Sequence, residues 1–160
     1  MKKIGKQTII FDNPPTILET ASIVGPKEAE GPLAKYFDKT LEDEFWGEET
    51  WEKAESKIVK ETSVLTINKA NLSNEQIDYC FSGDLLNQCI SSSFGLRDSS
   101  IPLFGIFGAC STFVEGLSLG AVFAEISGAN NILALASSHF CSAEKQFRFP
   151  LELGNQRTPT

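Results

Sequence analysis

The 160-residue sequence contains one histidine, His139. That scarcity argues against a zinc centre, which draws most of its ligands from histidine and cysteine. The four cysteines, Cys80, Cys89, Cys110 and Cys141, include no pair at C-x-x-C spacing. They are too few for a disulfide scaffold and wrongly spaced for a dithiol redox motif. The opening "MKKIGKQT" has no secretory apolar core, so the thiols read as reduced and intracellular. Basic charge is also short. Fourteen Lys and Arg face 21 Asp and Glu, a formal net charge of −7. That balance speaks against nucleic acid as a partner, while leaving room for a local anion site. Long apolar runs are missing as well. Residues 101–138 are rich in small and apolar side chains, but Glu115 and Glu125 interrupt them. No unbroken run reaches the ~18 residues of a membrane span, so buried core elements are expected there.

What is present fits one α/β unit. Hydrophobic residues make up 41% of a chain long enough to build a real core. "KQTIIFD" and "PTILETASIV" read as short strands, and "GPKEAEGPLAKYFDKTLEDEFWGEE" as a charged loop with a short helix. From Glu49 to Lys69 the period is helical, with Trp51, Ala54, Ile58, Thr62 and Leu65 on the expected inner stripe. Ser73 and Gln76 stand at capping-box spacing before a strand over Ile77–Ser82. "LLNQCISSSFGLRDSS" reads as a helix and "IPLFGIFG" as a buried strand. "STFVEGLSLGAVFAEISG" reads as a helix from Ser111 to Ser127 stopped by Gly128. It is apolar almost all round, which predicts burial on most sides. "NILALASS" is one more strand. The alternation predicts a mainly parallel sheet with crossing helices.

In such a sheet, ligands bind beyond the carboxyl ends of the strands. Cys110 falls there, on a Gly108-Ala109 turn just before the long helix. A helix start favours a thiolate and equally a bound carboxylate. Three roles therefore fit Cys110: an inert core thiol, a nucleophile, or the wall of an anion pocket. His139 follows the next strand on the same edge, and adjacent strands lie ~5 Å apart, so contact with Cys110 is within reach; the other reading of a lone histidine is a structural residue with its hydrogen bonds satisfied. Asp84, Asn87 and Gln88 also face that edge; Asp84 suits helix capping better than ligand binding. Lys145, Arg148 and Arg157 bring positive charge, and Phe147 and Phe149 flank Arg148.

"GKQT", "GPKEAEGPLAKYFDKT", "SGDLLNQ", "FGACST", "SSH" and "EKQFRFP", in this order, resemble the stage V sporulation protein AD family of endospore-forming bacteria. That family is part of the thiolase-like superfamily. The resemblance implies a thiolase-like layered α/β fold with a buried central helix, of which residues 1–160 form the incomplete N-terminal half, the second half being absent. It implies non-catalytic binding of dipicolinic acid (pyridine-2,6-dicarboxylate), with or without calcium, in the uptake machinery of the forming spore. Other stage V sporulation A proteins are the implied partners, with a homodimer or other self-association. The implied location is intracellular and peripheral to the spore inner membrane through partner proteins. No enzyme activity, cofactor or resident metal is expected. Cys110, Ser111, Thr112, His139, Arg148, Asn87 and Gln88 are the expected ligand contacts. The alternative is a thiolase-like acyltransferase or condensing enzyme with Cys110 as its nucleophile.

Overall fold

The computed structural model describes residues 1–86 and 89–144. Asn87, Gln88, Lys145, Arg148 and Arg157 lie outside them. Among the described residues the strands are β1 (Lys2–Ile4), β2 (Thr8–Ile10), β3 (Ile23–Val24), β4 (Lys39–Thr40), β5 (Tyr79–Gly83), β6 (Leu103–Gly105) and β7 (Ile132–Ala136). The helices are α1 (Pro26–Ala29), α2 (Trp51–Lys69), α3 (Ile90–Leu96) and α4 (Thr112–Ser127).

The centre is a parallel sheet in the order β6-β5-β7. The pleat divides its side chains between two faces. Cys80, Leu133 and Leu135 join Val59 and Ile67 of α2 and Leu96 of α3 in one apolar cluster. On the other face Tyr79, Phe81 and Phe104 meet Phe123 of α4, with ring centroids 5.1–5.9 Å apart. Gly116 and Gly120 bring α4 close to that face. A Cβ at Gly120 would lie 3.2 Å from Ile132 Cγ2. The chain is thus α/β in three layers: α2 and α3, the sheet, and α4.

The helix expected from Glu49 to Lys69 is α2, and Thr50 caps it by accepting from the Lys53 amide. Two further local expectations are met. Ser73 and Gln76 form the capping box. Gly128, at φ 70°, ends α4. Others need correction. β1 and β4 were not foreseen: β1 pairs antiparallel with β2, and β4 pairs parallel with β3. The buried stripe of α2 is Ala54, Glu55, Val59, Ser63 and Ile67, so Trp51, Ile58, Thr62 and Leu65 sit nearer its flanks. Helix α2 turns this way because α3 packs on it through Gly95, where a Cβ would stand 2.6 Å from the Ser56 carbonyl oxygen. Strand β6 is not buried, because it is an edge of this sheet; Phe104 is 41% exposed. Nor is α4 buried on most sides. The sheet covers one face, with Thr112, Gly116 and Gly120 buried, and leaves Phe113, Val114, Leu117 and Ile126 exposed. The helical stretch Ala109–Ser127 is long and apolar enough to cross a membrane by length and composition. That is weak support for a span, since α4 seats its glycines on a sheet as a core helix does.

Candidate functional site at the sheet edge

The connections leaving β5 and β6 diverge. The chain after β5 enters α3 on one face, and the chain after β6 enters α4 on the other. That divergence marks the switch point where open α/β sheets take ligands. Its depth is tightly filled. A Cβ on Gly83 would overlap the Ile106 carbonyl and lie 2.6 Å from Thr112 Cγ2. Only a residue without a side chain fits there. Asp84 is buried and caps the start of α3, accepting from the Leu86 amide at 3.0 Å and the Ser92 amide at 2.8 Å. Cys89, in the left-handed region at φ 54°, donates its thiol to the Ile106 carbonyl at 3.3 Å. Burial pushes the Cys89 thiol up, with the neighbouring Asp84 carboxylate adding to that rise and a backbone hydrogen bond at Asp84 opposing it. Cys80, deeper in the core, is pushed up to about 12 by burial, which makes it inert.

Cys110 occupies a 3₁₀ turn, Ala109–Ser111, that joins the end of β6 to α4. Ala109 adopts φ 48°, a conformation that strains a residue with a side chain by roughly 1–2 kcal/mol. Three hydrogen bonds hold it. Thr112 Oγ1 donates to the Ala109 carbonyl at 2.8 Å and accepts from the Gly108 amide at 3.0 Å. Ser111 Oγ donates to the Gly108 carbonyl at 2.7 Å. The hydroxyl of the buried Thr112 is therefore committed to the turn. Cys110 is exposed at its tip, and Phe107, Phe113 and Val114, close to it along the chain, are exposed as well. Recesses of about 500 Å³ beside Lys39–Gly47 and about 630 Å³ between α2 and α3 lie elsewhere, and Cys110 lines neither.

His139 lies on the same edge but is not adjacent to Cys110. Strands β6 and β7 flank β5, so the two residues follow strands about 10 Å apart, two strand spacings rather than one. Both ring nitrogens are also occupied. Nδ1 accepts from the Cys141 amide at 3.2 Å, which assigns the proton to Nε2 and makes it the donor to the Glu44 carbonyl at 2.8 Å. His139 thus ties the segment after β7 to the loop before α2.

The same segment is held by a residue that the sequence reading missed. Glu55, 1% exposed, accepts from Ser137 Oγ at 2.8 Å and from Ser142 Oγ at 2.7 Å. Burial raises its carboxyl above the ordinary range. The two serine hydroxyls and His139 partly offset the rise, and Asp84 adds to it. The available signal was spacing: Glu55, Val59, Ser63 and Ile67 recur every four residues. The acid and the serine within that row masked it.

The family model described as Stage V sporulation protein AD matches residues 5–160. The chain belongs to this family. Stage V sporulation protein AD of Bacillus subtilis (strain 168) is 38% identical over 160 residues, which is 100% of this chain and 47% of that relative. The chain therefore spans about half the length of the curated relative it matches. Membership in the stage V sporulation protein AD family ties the chain to sporulation. Of the expected contacts, Cys110 and Ser111 share one exposed turn. Thr112 supports that turn from beneath, and His139 stands across β5.

Proposed function

We propose that the chain supplies the first half of a binding site for dipicolinate, working non-catalytically within the sporulation machinery. In this reading the complete protein has a thiolase-like layered fold, and its second half closes over α4. The observation that carries the reading is Cys110 held at the tip of a fixed turn, at the sheet's switch point and the start of a 16-residue helix. Amides at a helix start suit a carboxylate, and Phe107 and Phe113 suit the faces of a flat aromatic ring. Cys110 and Ser111 then form the wall. Asn87, Gln88 and Arg148 supply polar and cationic contacts, with the free acid or its calcium chelate as ligand. Thr112 acts by shaping the turn.

The second reading, acyl transfer with Cys110 as nucleophile, is favoured by one observation: the left-handed Ala109 that presents an exposed thiol. Such strain often accompanies a reactive group. Calorimetry of the full-length protein with dipicolinate, with and without calcium, separates the two. Arg148→Ala should weaken binding by about 1.5–3 kcal/mol, the range for a charge-assisted hydrogen bond. Cys110→Ser should change affinity less. A stable acyl adduct on Cys110 after incubation with acyl-CoA, together with no dipicolinate binding, would select the enzyme reading.

A further inference from the structure

Residues 1–10 form a regular hairpin, and all ten are exposed. Cross-strand pairing sets Lys2, Ile4, Thr8 and Ile10 on one face and Lys3 and Ile9 on the other. Gly5, at φ 62°, opens the turn, with Lys6 beside it. Ile4, Ile9 and Ile10 are 45%, 46% and 48% exposed. The first eleven residues carry three lysines and no acid, in a chain of net charge −7. The side chains of Lys2, Lys3 and Lys6 have no ion pair or hydrogen bond to a described residue.

The root of the hairpin is fixed while its blade is free. Glu125 of α4 accepts from the Asp12 and Asn13 amides at 3.2 and 3.4 Å. Asp12 and Glu125 are both engaged at the hairpin root with the Met1 amine.

We propose that the β1–β2 hairpin is an arm that docks the protein on an anionic lipid bilayer, lysines against headgroup phosphates and isoleucines at the acyl boundary. Size favours a bilayer over a protein partner. Two strands roughly 10 Å long offer far less than the ~800 Å² per side of a stable protein interface. A bilayer needs only a few anchoring side chains. Lysines interleaved with aliphatic residues match both of its layers. The same surface repels the acidic remainder of the chain, which turns the arm toward it. The inference stands on these residues and does not depend on the dipicolinate reading.

Vesicle co-sedimentation of the intact protein tests it. The protein should bind phosphatidylglycerol–phosphatidylcholine vesicles, bind pure phosphatidylcholine weakly, and dissociate as salt is raised. Each lysine removed should lower the partition coefficient about five-fold, and Lys2→Ser, Lys3→Ser and Lys6→Ser together about 100-fold. Ile9→Ser with Ile10→Ser should weaken binding with little change in its salt dependence. Unchanged circular dichroism verifies that these exposed substitutions leave the fold intact. No binding by the wild type, equal binding by the triple variant, or equal binding to neutral vesicles overturns the proposal. So does binding to single-stranded DNA in place of vesicles. A lysine-dependent dimer without vesicle binding reassigns the arm to a second copy and likewise overturns it.

Discussion

Glu55 is a buried acid whose two oxygens each take a serine hydroxyl. Its folded pKa is raised by burial, so the carboxyl favours folding only while protonated. That contribution is complete below the unfolded value, near 4.3, and is lost as pH rises through the higher folded value. Glu55→Gln should therefore gain stability relative to wild type between about pH 4 and pH 7. Urea midpoints at the two pH values read this directly; parallel pH profiles would refute it. Glu55→Ala should cost about 2–3 kcal/mol, because it leaves two part-buried hydroxyls without their acceptor and opens a void. Gly83 is a different residue-scale constraint. Gly83→Ala drives a methyl into the Ile106 carbonyl and should cost about 1–3 kcal/mol or prevent folding. A midpoint equal to wild type would mean that this approach is looser than described. None of these effects is visible in the residues' own neighbours along the chain.

Helix contacts discriminate between glycines that look alike in sequence. Gly95 and Gly116 are both helical, and Ala would gain up to ~1 kcal/mol of propensity at either. At Gly95 the new methyl meets the Ser56 carbonyl oxygen at 2.6 Å and Val59 Cβ at 3.0 Å. At Gly116 its nearest neighbour is the end of the Ile106 side chain, 3.3 Å away. Gly95→Ala should destabilise by about 1–3 kcal/mol, whereas Gly116→Ala should be neutral or slightly stabilising. Denaturant unfolding of both variants checks the order. The C-terminal end of α2 carries its own link. Lys69 reaches Asp38 at 2.7 Å and the Thr20 carbonyl at 2.6 Å, anchoring the segment that leads into β4. The Lys69 ammonium and the Ser22 amide hold the Asp38 carboxyl below its ordinary value. That contribution is present above the unfolded pKa and is lost as pH falls through the folded one. The stability gap between wild type and Lys69→Met should be widest above about pH 4 and close at more acid pH. A gap independent of pH would count against the pairing.

At the scale of the molecule, the outer face of α4 governs behaviour. Phe113, Val114, Leu117 and Ile126 stand exposed along a helix about 24 Å long. Apolar surface left in water forgoes roughly 25 cal/mol for each Å². The 160-residue chain should therefore self-associate and bind an apolar dye, and Phe113→Ser with Leu117→Ser should reduce both. Light scattering and dye fluorescence against concentration decide this. A wild-type monomer that stays dark with the dye would show that the face is tolerated in water.

The sequence by itself determined the α/β class, the parallel character of the central sheet, α2, α4, the Gly128 stop, the Ser73–Gln76 capping box and the placement of Cys110 at a helix start. The helices, the cap and the stop rest on bonds between near neighbours: an amide with a carbonyl four residues back, a cap with its third amide, a glycine free to turn left-handed. The parallel sheet follows instead from the alternation of strand and helix, which calls for crossover connections. Only the tertiary structure decided which stripe of α2 is buried, because Glu55 and Ser63 become inner residues only once the serines after β7 and the packing of α3 supply their partners. It alone separated His139 from Cys110, because strand order is a choice among distant segments, and placing β5 between β6 and β7 leaves no mark on spacing. It alone left one side of α4 in water, because a helix apolar on every side records how much cover it can take, whereas the elements around it decide how much it receives.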